Sequence, residues 1–368
     1  MHPFDSSSPR PLYLQLADHL RRQIENGSLK TGERLLPELA IAEQYGLARG
    51  TVRQAMLLLV NLGLLQRTQR KGTFVADSQQ RTNAPLIGII VPYLGDNLTS
   101  DIMHGAESVL RLNGYSLIFG RSEGRLEVEH EQIKRFQRDK ISGLILFPVS
   151  LPGEARMLKK TLAPSFPLVL IDRKVSGFAA SSVLVDNCGA AYHAVEHLIA
   201  FGHRRIACVS HHGRISSLDE RRLGYDQAMY AAGLAPIPSA LLIHREPTPE
   251  GQPAPYTEED MGPVAQLLDS PGRPTALFCM NDYIALAVMR HVAGSGLRVP
   301  EDVAIVGFDD IPLAAFMPVP LTTVAQPKFE IGSQAAQLLL DKISGREPAT
   351  RGVVLPTALS LRASTSRS

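Results

Sequence analysis

The chain has 368 residues, with 38 Lys and Arg against 36 Asp and Glu and a formal net charge of +2. Taken whole, that balance argues against a nucleic-acid or membrane-surface protein. The 44% hydrophobic and 20% charged content excludes a largely disordered chain. The length suits about two or three folding units. Cys188, Cys208 and Cys279 are odd in number and far apart, so no disulfide framework is written; Cys208 and Cys279 sit in apolar runs, as buried thiols in a reducing cytoplasm do. Residues 1–6 lack the basic-then-apolar pattern of a signal peptide, and the most apolar stretch, 55–65, is broken by Asn61 and too short to span a bilayer. The expectation is a soluble, cytoplasmic protein without a membrane partner.

Along the chain the charge is not uniform. Residues 1–84 hold 11 Lys and Arg against 7 Asp and Glu, a net of +4, and the remainder nets −2. No acid occurs between Gln44 and Ala76, while Arg49, Arg53, Arg67, Arg70 and Lys71 all fall there. After Pro11, apolar residues at Leu12, Leu16, Leu20 and Ile24 predict an amphipathic helix that ends before Gly27. A second helix is expected over 38–45, stopping at Gly46, and a third from about Arg49 to Gly63. Two short strands, 64–67 and 73–75, flank a turn at 68–72. Helix, turn, helix and β-wing make a winged helix-turn-helix over 9–76.

The polar, aperiodic run 77–84 reads as a linker. From 85 to 362, short apolar strands alternate with helical patterns: 86–91, 116–119, 143–147, 168–171, 182–185, 205–209, 240–243, 276–280 and 303–307. Serial βα units imply parallel sheet covered on both faces. An extended segment near 182–187 splits the region into two α/β lobes, one over about 85–185 and 327–350, the other over about 187–325 and 352–361.

In the head, Arg49 and Arg53 lie four residues apart on one face at the start of the third helix. That spacing serves a recognition helix, whose forked donors reach guanine edges or phosphates in the major groove. Thr51 can donate to a phosphate or touch a thymine methyl. The wing tip, with Arg70, Lys71 and Gly72, adds contacts to the neighbouring backbone or minor groove.

In the body, polar residues follow the strand ends: Asp96 and Asn97, Asp172 and Arg173, Asp186 and Asn187, His211 and His212, Asn281 and Asp282, Asp309 and Asp310. Ligands of open parallel sheets bind beyond the carboxyl ends of strands, so these positions converge on one cleft if the lobes face each other. Carboxylates and Arg beside apolar walls such as Tyr93, Phe147 or Phe308 suit a sugar or similar polyol. The plainer role for each Asp or Asn is to cap the next helix.

Residues 10–76 resemble the GntR family of bacterial winged-helix repressors, through Gly32, Glu38, Leu47, Arg49, Thr51-Val52-Arg53, Gly63-Leu64 and Gly72-Thr73-Phe74-Val75. Three positions depart from that pattern: Leu39 replaces an Arg that contacts DNA in relatives, Ala48 replaces a Ser, and Arg70 stands where the wing often has Gly. Operator sequence therefore does not carry over. Residues 85–362 resemble the LacI-type effector domain, which is periplasmic-binding-protein-like, through Leu170-Ile171-Asp172-Arg173, Val185-Asp186-Asn187, Arg221-Arg222-Leu223-Gly224-Tyr225, Asn281-Asp282, Val306-Gly307-Phe308-Asp309-Asp310 and Leu321 to Pro327. The likeness implies effector contacts from Asp172, Arg173, Arg221, Asn281, Asp309 and Gln326, to which the strand-end position adds Asp96. GntR head and LacI-type body together resemble the arabinose-repressor subgroup. The resemblance implies a homodimeric transcriptional repressor of carbohydrate-use genes, bound to a palindromic operator and released by a small sugar-like effector, with no cofactor and no catalytic or metal site.

Two other readings compete. His193-Ala194-Val195-Glu196-His197 is an H-x-x-E-H pattern, which on a helix serves a zinc-dependent hydrolase, yet no segment offers a third ligand. The body alone also fits a sugar-binding transport protein, a reading that the DNA-binding head opposes.

Overall fold

The computed structural model describes residues 11–61, 63–68, 72–76, 84–211, 215–242, 255–346 and 350–366. The chain divides into two compact units, 1–84 and 85–368; most of the expected linker lies outside the described residues. In the first unit, helices α1 (Leu12–Glu25), α2 (Glu38–Tyr45) and α3 (Arg49–Asn61) precede an antiparallel hairpin of β1 (Leu65–Thr68) and β2 (Gly72–Val75). Leu16 and Leu20 share one core with Ile41, Val52, Ala55, Met56, Leu59, Leu65 and Val75. That set realises the four-residue spacing of α1 and the period-3.6 pattern of α3. Gly46 ends α2 in a left-handed turn with φ 62°, a conformation that costs glycine no Cβ clash. Three residues later the chain enters α3.

The second unit holds two six-stranded sheets. Lobe 1 contains β3 (Leu86–Val91), α4 (Asn97–Leu112), β4 (Ser116–Arg121), α5 (Leu126–Arg138), β5 (Gly143–Leu146), α6 (Glu154–Thr161), β6 (Leu168–Ile171) and β7 (Ser181–Val185). Lobe 2 contains α7 (Asn187–Ala200), β8 (Ile206–His211), α8 (Ser216–Ala231), β9 (Ala240–Leu242), α9 (Gly262–Asp269), β10 (Ala276–Cys279), α10 (Asp282–Gly294), β11 (Ala304–Asp309) and β12 (Thr322–Ala325). The chain then returns to lobe 1 as α11 (Lys328–Ile343) and finishes with β13 (Gly352–Leu355) and β14 (Ala358–Ser360). The strand orders are β13-β7-β6-β5-β3-β4 and β14-β12-β11-β10-β8-β9. Every pair is parallel except β12 with β14.

One lobe boundary needs correction. Residues 352–361 were expected in lobe 2, yet β13 pairs with β7 and extends the lobe 1 sheet, and only β14 joins lobe 2. The reason is length: β13 is a four-residue edge strand of alternating exposure, too short to declare its sheet before the fold brings β7 beside it. The chain thus crosses between lobes three times, at 185–187, 325–328 and 355–358. Near the second crossing α11 lies hard against α4. A Cβ at Gly105 would come within 2.0 Å of the Phe329 carbonyl oxygen, and one at Gly332 within 1.9 Å of that of Ile102, so both positions need glycine.

Candidate functional site

On α3 the inward face is Val52, Ala55, Met56 and Leu59, each at most 5% exposed. The opposite face presents Arg49, Gly50, Arg53 and Gln54 to solvent, with Thr51 half-buried between. The carbonyl of Ala48 accepts the helix's first bond from Val52 N at 3.2 Å, so Ala48 is the N-cap and contributes no side-chain cap. Arg67 is engaged elsewhere: its Nη2 donates to Glu38 Oε1 at 2.8 Å, tying β1 to the start of α2. Gly72 holds φ 117°, and a Cβ there would sit 2.9 Å from Arg34 Nε. Arg70 and Lys71 lie outside the described residues. Leu36 and Leu39 are 54% and 57% exposed, an apolar patch at the N-terminus of α2.

In the body a cleft of about 580 Å³ opens between the lobes. Six of the seven expected contacts line it: Asp96, Asp172 and Arg173 from lobe 1, and Arg221, Asn281 and Asp309 from lobe 2. His211, Tyr93 and Phe147 line it too, while His212 lies outside the described residues. Gln326 does not line the cleft. It is buried behind Asp309, to whose Oδ1 its Nε2 donates at 2.6 Å. Phe308 was expected as a wall and is instead fully buried, with the Arg221 guanidinium stacked 3.6 Å above its ring centroid. The strand alternation that points Asp309 into the cleft turns its neighbour into the core.

Each side of the cleft carries an Asp–Arg pair held by backbone. In lobe 1, Asp172 takes φ 62° and its N donates to Val183 O at 3.1 Å. Asp172 Oδ2 lies 3.5 Å from Arg173 Nε, and the guanidinium sits 4.8 Å above the Phe147 ring centroid while Nη1 donates to Pro148 O at 3.3 Å. In lobe 2, Arg221 donates Nε to Asn187 Oδ1 at 2.9 Å and Nη1 to Met280 O at 2.6 Å, leaving Nη2 3.7 Å from Asp309 Oδ1. Asp309 and Asp310 hold φ 115° and 48°. Strained non-glycine backbone gathered at one place persists where the surroundings over-determine it, and such places are commonly functional.

Burial dominates the titration of these groups. It pushes the Asp309 carboxyl up to about 6 against the pull of Arg221, and raises Asp172 as well. It also lowers Arg173, with Asp172 opposing. Asp172 Oδ1 and Arg173 Nε make no hydrogen bond among the described residues. Buried polar atoms left in this state are costly unless a ligand satisfies them. Asp96 and Asn281 cap helices and also line the cleft. Asp96 Oδ1 caps α4 at Thr99 N (2.6 Å), and Asn281 Oδ1 caps α10 at Ile284 N (2.8 Å), while both face the cleft.

The second members of two pairs are structural. Asp282 is fully buried, accepts from Ile311 N at 2.9 Å and Thr323 Oγ1 at 2.6 Å, and is raised to about 7 by burial. It thereby fixes the turn that presents Asp309. Asp310 accepts from Arg362 Nη2 at 2.7 Å and Ser360 Oγ at 3.0 Å, clamping the third crossing to that turn. Sequence reasoning missed several lining residues, among them Ser217, Tyr256, Tyr283 and Arg290. Ser217 precedes Arg221 by four residues on α8 and so shares its face, a signal that was available. Tyr256 reaches the cleft through a loop whose carbonyl accepts from Arg290 Nη2 at 2.9 Å, and no local pattern announces that.

The H-x-x-E-H residues are engaged separately. His193 Nδ1 lies 3.1 Å from Glu196 Oε2 on an exposed face, and His197 Nε2 meets Thr365 Oγ1 at 2.9 Å. Among the described residues no group of three His, Cys, Asp or Glu is placed to hold a metal ion, and no helix is long and apolar enough to cross a membrane.

Residues 12–75 match the bacterial regulatory proteins of the gntR family, and residues 195–365 match a periplasmic binding protein-like domain. The arabinose metabolism transcriptional repressor of Geobacillus stearothermophilus is 33% identical over 343 residues, covering 91% of this chain and 92% of the relative. The chain belongs to the GntR family of bacterial transcriptional regulators. This GntR regulator is also 32% identical over 286 residues to the HTH-type transcriptional repressor CytR of Escherichia coli (strain K12), covering 78% of this chain and 81% of that one. A LacI family transcriptional regulator from Enterococcus faecium, solved with bound ribose, superposes with a TM-score of 0.63 at 27% identity, over 76% of this chain and 98% of its own. A gntR-type winged head joined to a LacI-type body makes this chain a DNA-binding transcriptional regulator.

Proposed function

We propose that the regulator represses carbohydrate-use genes and leaves its operator when a small sugar-like effector occupies the cleft. The observation that carries this reading is the pair of facing Asp–Arg units, Asp172 with Arg173 and Asp309 with Arg221, on opposite lobes of one cavity. A carboxylate accepts from one hydroxyl while the guanidinium donates to its neighbour, so each unit suits a vicinal diol. Tyr93, Phe147 and Tyr283 offer apolar surface to the C–H face of a ring. Asp96 and Asn281 supply further polar contacts, and Gln326 acts indirectly by holding Asp309.

Arg49, Thr51 and Arg53 contact the operator from α3, with Arg70, Lys71 and Gly72 at the wing. Two heads of a homodimer engage the half-sites of a palindrome. The effector favours the closed arrangement of the lobes, and operator affinity falls by as much as the effector discriminates between the two states. A thermal-shift screen of the purified protein against pentoses, hexoses, disaccharides and sugar phosphates tests the cleft, with binding to DNA selected from a random pool measured alongside. A sugar that raises the melting temperature and releases the DNA supports the reading. If none of these compounds does either, the reading is wrong.

A further inference from the structure

The lobes touch across the cleft at residues that do not line the cavity. Lys174, between β6 and β7 in lobe 1, donates Nζ to Glu220 Oε1 on α8 at 2.7 Å, and its backbone N donates to Ser216 Oγ at 2.8 Å. Ser150, also of lobe 1 and held at φ 63°, donates Oγ to Lys174 O at 3.0 Å and accepts from Ser216 N at 3.4 Å. None of these four side chains lines the cleft. Glu220 divides its two oxygens, for Oε2 accepts from Asn187 Nδ2 at 3.3 Å. Asn187 is fully buried at the first crossing between lobes, and its Oδ1 accepts from Arg221 Nε at 2.9 Å.

We propose that Glu220 and Asn187 are positioning residues that couple closure of the lobes to the grip of Arg221. This inference rests on the cleft being the effector site. Lys174 meets Glu220 only when the lobes are close. Glu220 then fixes Asn187, whose amide must turn its oxygen to Arg221 and its nitrogen to Glu220, and a planar amide bonded at both ends has a single orientation. Arg221 thereby presents Nη2 toward Asp309 in the closed arrangement. The Lys174 and Glu220 side chains are 60% and 30% exposed, so their pairing is modest and salt-sensitive, as a contact that must open requires. Effector affinity is set in part by residues the effector never touches.

The test uses the full-length protein with no sugar added, so its outcome is separate from whether any sugar binds. Hydrogen exchange of the amides of Lys174 and Ser216 reports the cross-cleft contacts, and the nitrogen-15 signal of the Arg221 Nε–H reports the link to Asn187. In Glu220→Ala, exchange at both places should be at least threefold faster than in wild type, with exchange in the β3 and β10 strands unchanged. Lys174→Met removes only an exposed side chain and should fold regardless. It should speed exchange of the two cross-cleft amides on the order of threefold and measurably loosen the Arg221 Nε–H, although it touches neither Asn187 nor Arg221. If Lys174→Met opens the bridge and leaves Arg221 as in wild type, closure and grip are not coupled. If neither variant alters either readout, the contacts carry no such role. Either result overturns the proposal.

Discussion

Two groups of arginines divide this molecule. On α3, Arg49 and Arg53 stand in solvent with no ion-pair partner among the described residues. In the cleft, Arg221 is 4% exposed and every nitrogen-bearing arm has an assigned neighbour: Asn187, Met280 O and Asp309. A guanidinium in water is free to meet a polyanion, and its contribution comes largely from releasing counterions. A buried one has already lost its hydration and rotamer freedom, so it serves a small neutral ligand by geometry. In the proposed function the same side chain acts as a charge in one unit and as a shaped donor in the other.

Salt should separate the two most strongly. For a dimer touching about six phosphates, raising salt from 50 to 200 mM weakens DNA binding about a thousandfold, whereas sugar binding in the cleft stays within about twofold because buried pairs are little screened. Fluorescence anisotropy and calorimetry on the same preparation check this. Equal salt dependence would erase the contrast. Next in size is Asp309→Asn, which keeps the shape of the side chain and removes the charge. It should lower sugar affinity about ten- to a hundredfold, the range for a hydrogen bond to a charged group, with DNA binding retained.

A smaller effect should follow from pH. Asp309 titrates near 6 in the fold, above its ordinary 3.8, so its ionised form is the disfavoured one there. A sugar hydroxyl donating to the carboxylate needs that ionised form. Sugar affinity should therefore fall about tenfold from pH 7.5 to pH 5 as the group protonates, and a flat profile in that window would remove Asp309 from the contact set.

The smallest effect concerns the scaffold behind the cleft. Glu129 on α5 and Glu154 on α6 are both fully buried. Their oxygens accept from Val149 N at 3.0 Å and Leu151 N at 3.1 Å, which stakes down the loop that lines lobe 1. Burial and the neighbouring Glu154 push Glu129 up to about 9. A carboxyl raised in the fold contributes stability that is complete below about 4.5 and is lost as pH climbs toward 9. Glu129→Gln should flatten that decline in urea unfolding at pH 6 and pH 9, because the amide keeps a donor toward Glu154. A decline of unchanged slope would assign the alkaline loss to another group.

Much of this was legible in the sequence for a physical reason. The acid-free run from Gln44 to Ala76 marks the head because a surface that meets phosphate cannot afford carboxylates. Asp96, Asp172, Arg173, Asn281 and Asp309 end strands or follow them, and parallel sheets carry such positions to one edge; Arg221, inside α8, was expected only from the resemblance. Long-range pairing was hidden. Gln326 backs Asp309, Asp282 supports Ile311, and His197 meets Thr365, 168 residues away; only the folded chain brings these together. β13 was missed because a four-residue edge strand is too short to declare its sheet, and the tie from Arg67 to Glu38 spans 29 residues.

In the proposed function one unit reads DNA with exposed arginines and the other reads a small polyol with buried ones. The most direct measurement takes wild type, Arg49→Ala and Asp309→Asn through the same pair of assays, DNA binding and sugar-induced thermal shift. Arg49→Ala should lose DNA affinity about ten- to a hundredfold with its thermal shift intact, and Asp309→Asn should bind DNA as wild type does while its thermal shift shrinks with the loss of sugar affinity. Normal DNA binding by Arg49→Ala, or a full thermal shift in Asp309→Asn, would contradict this division of roles.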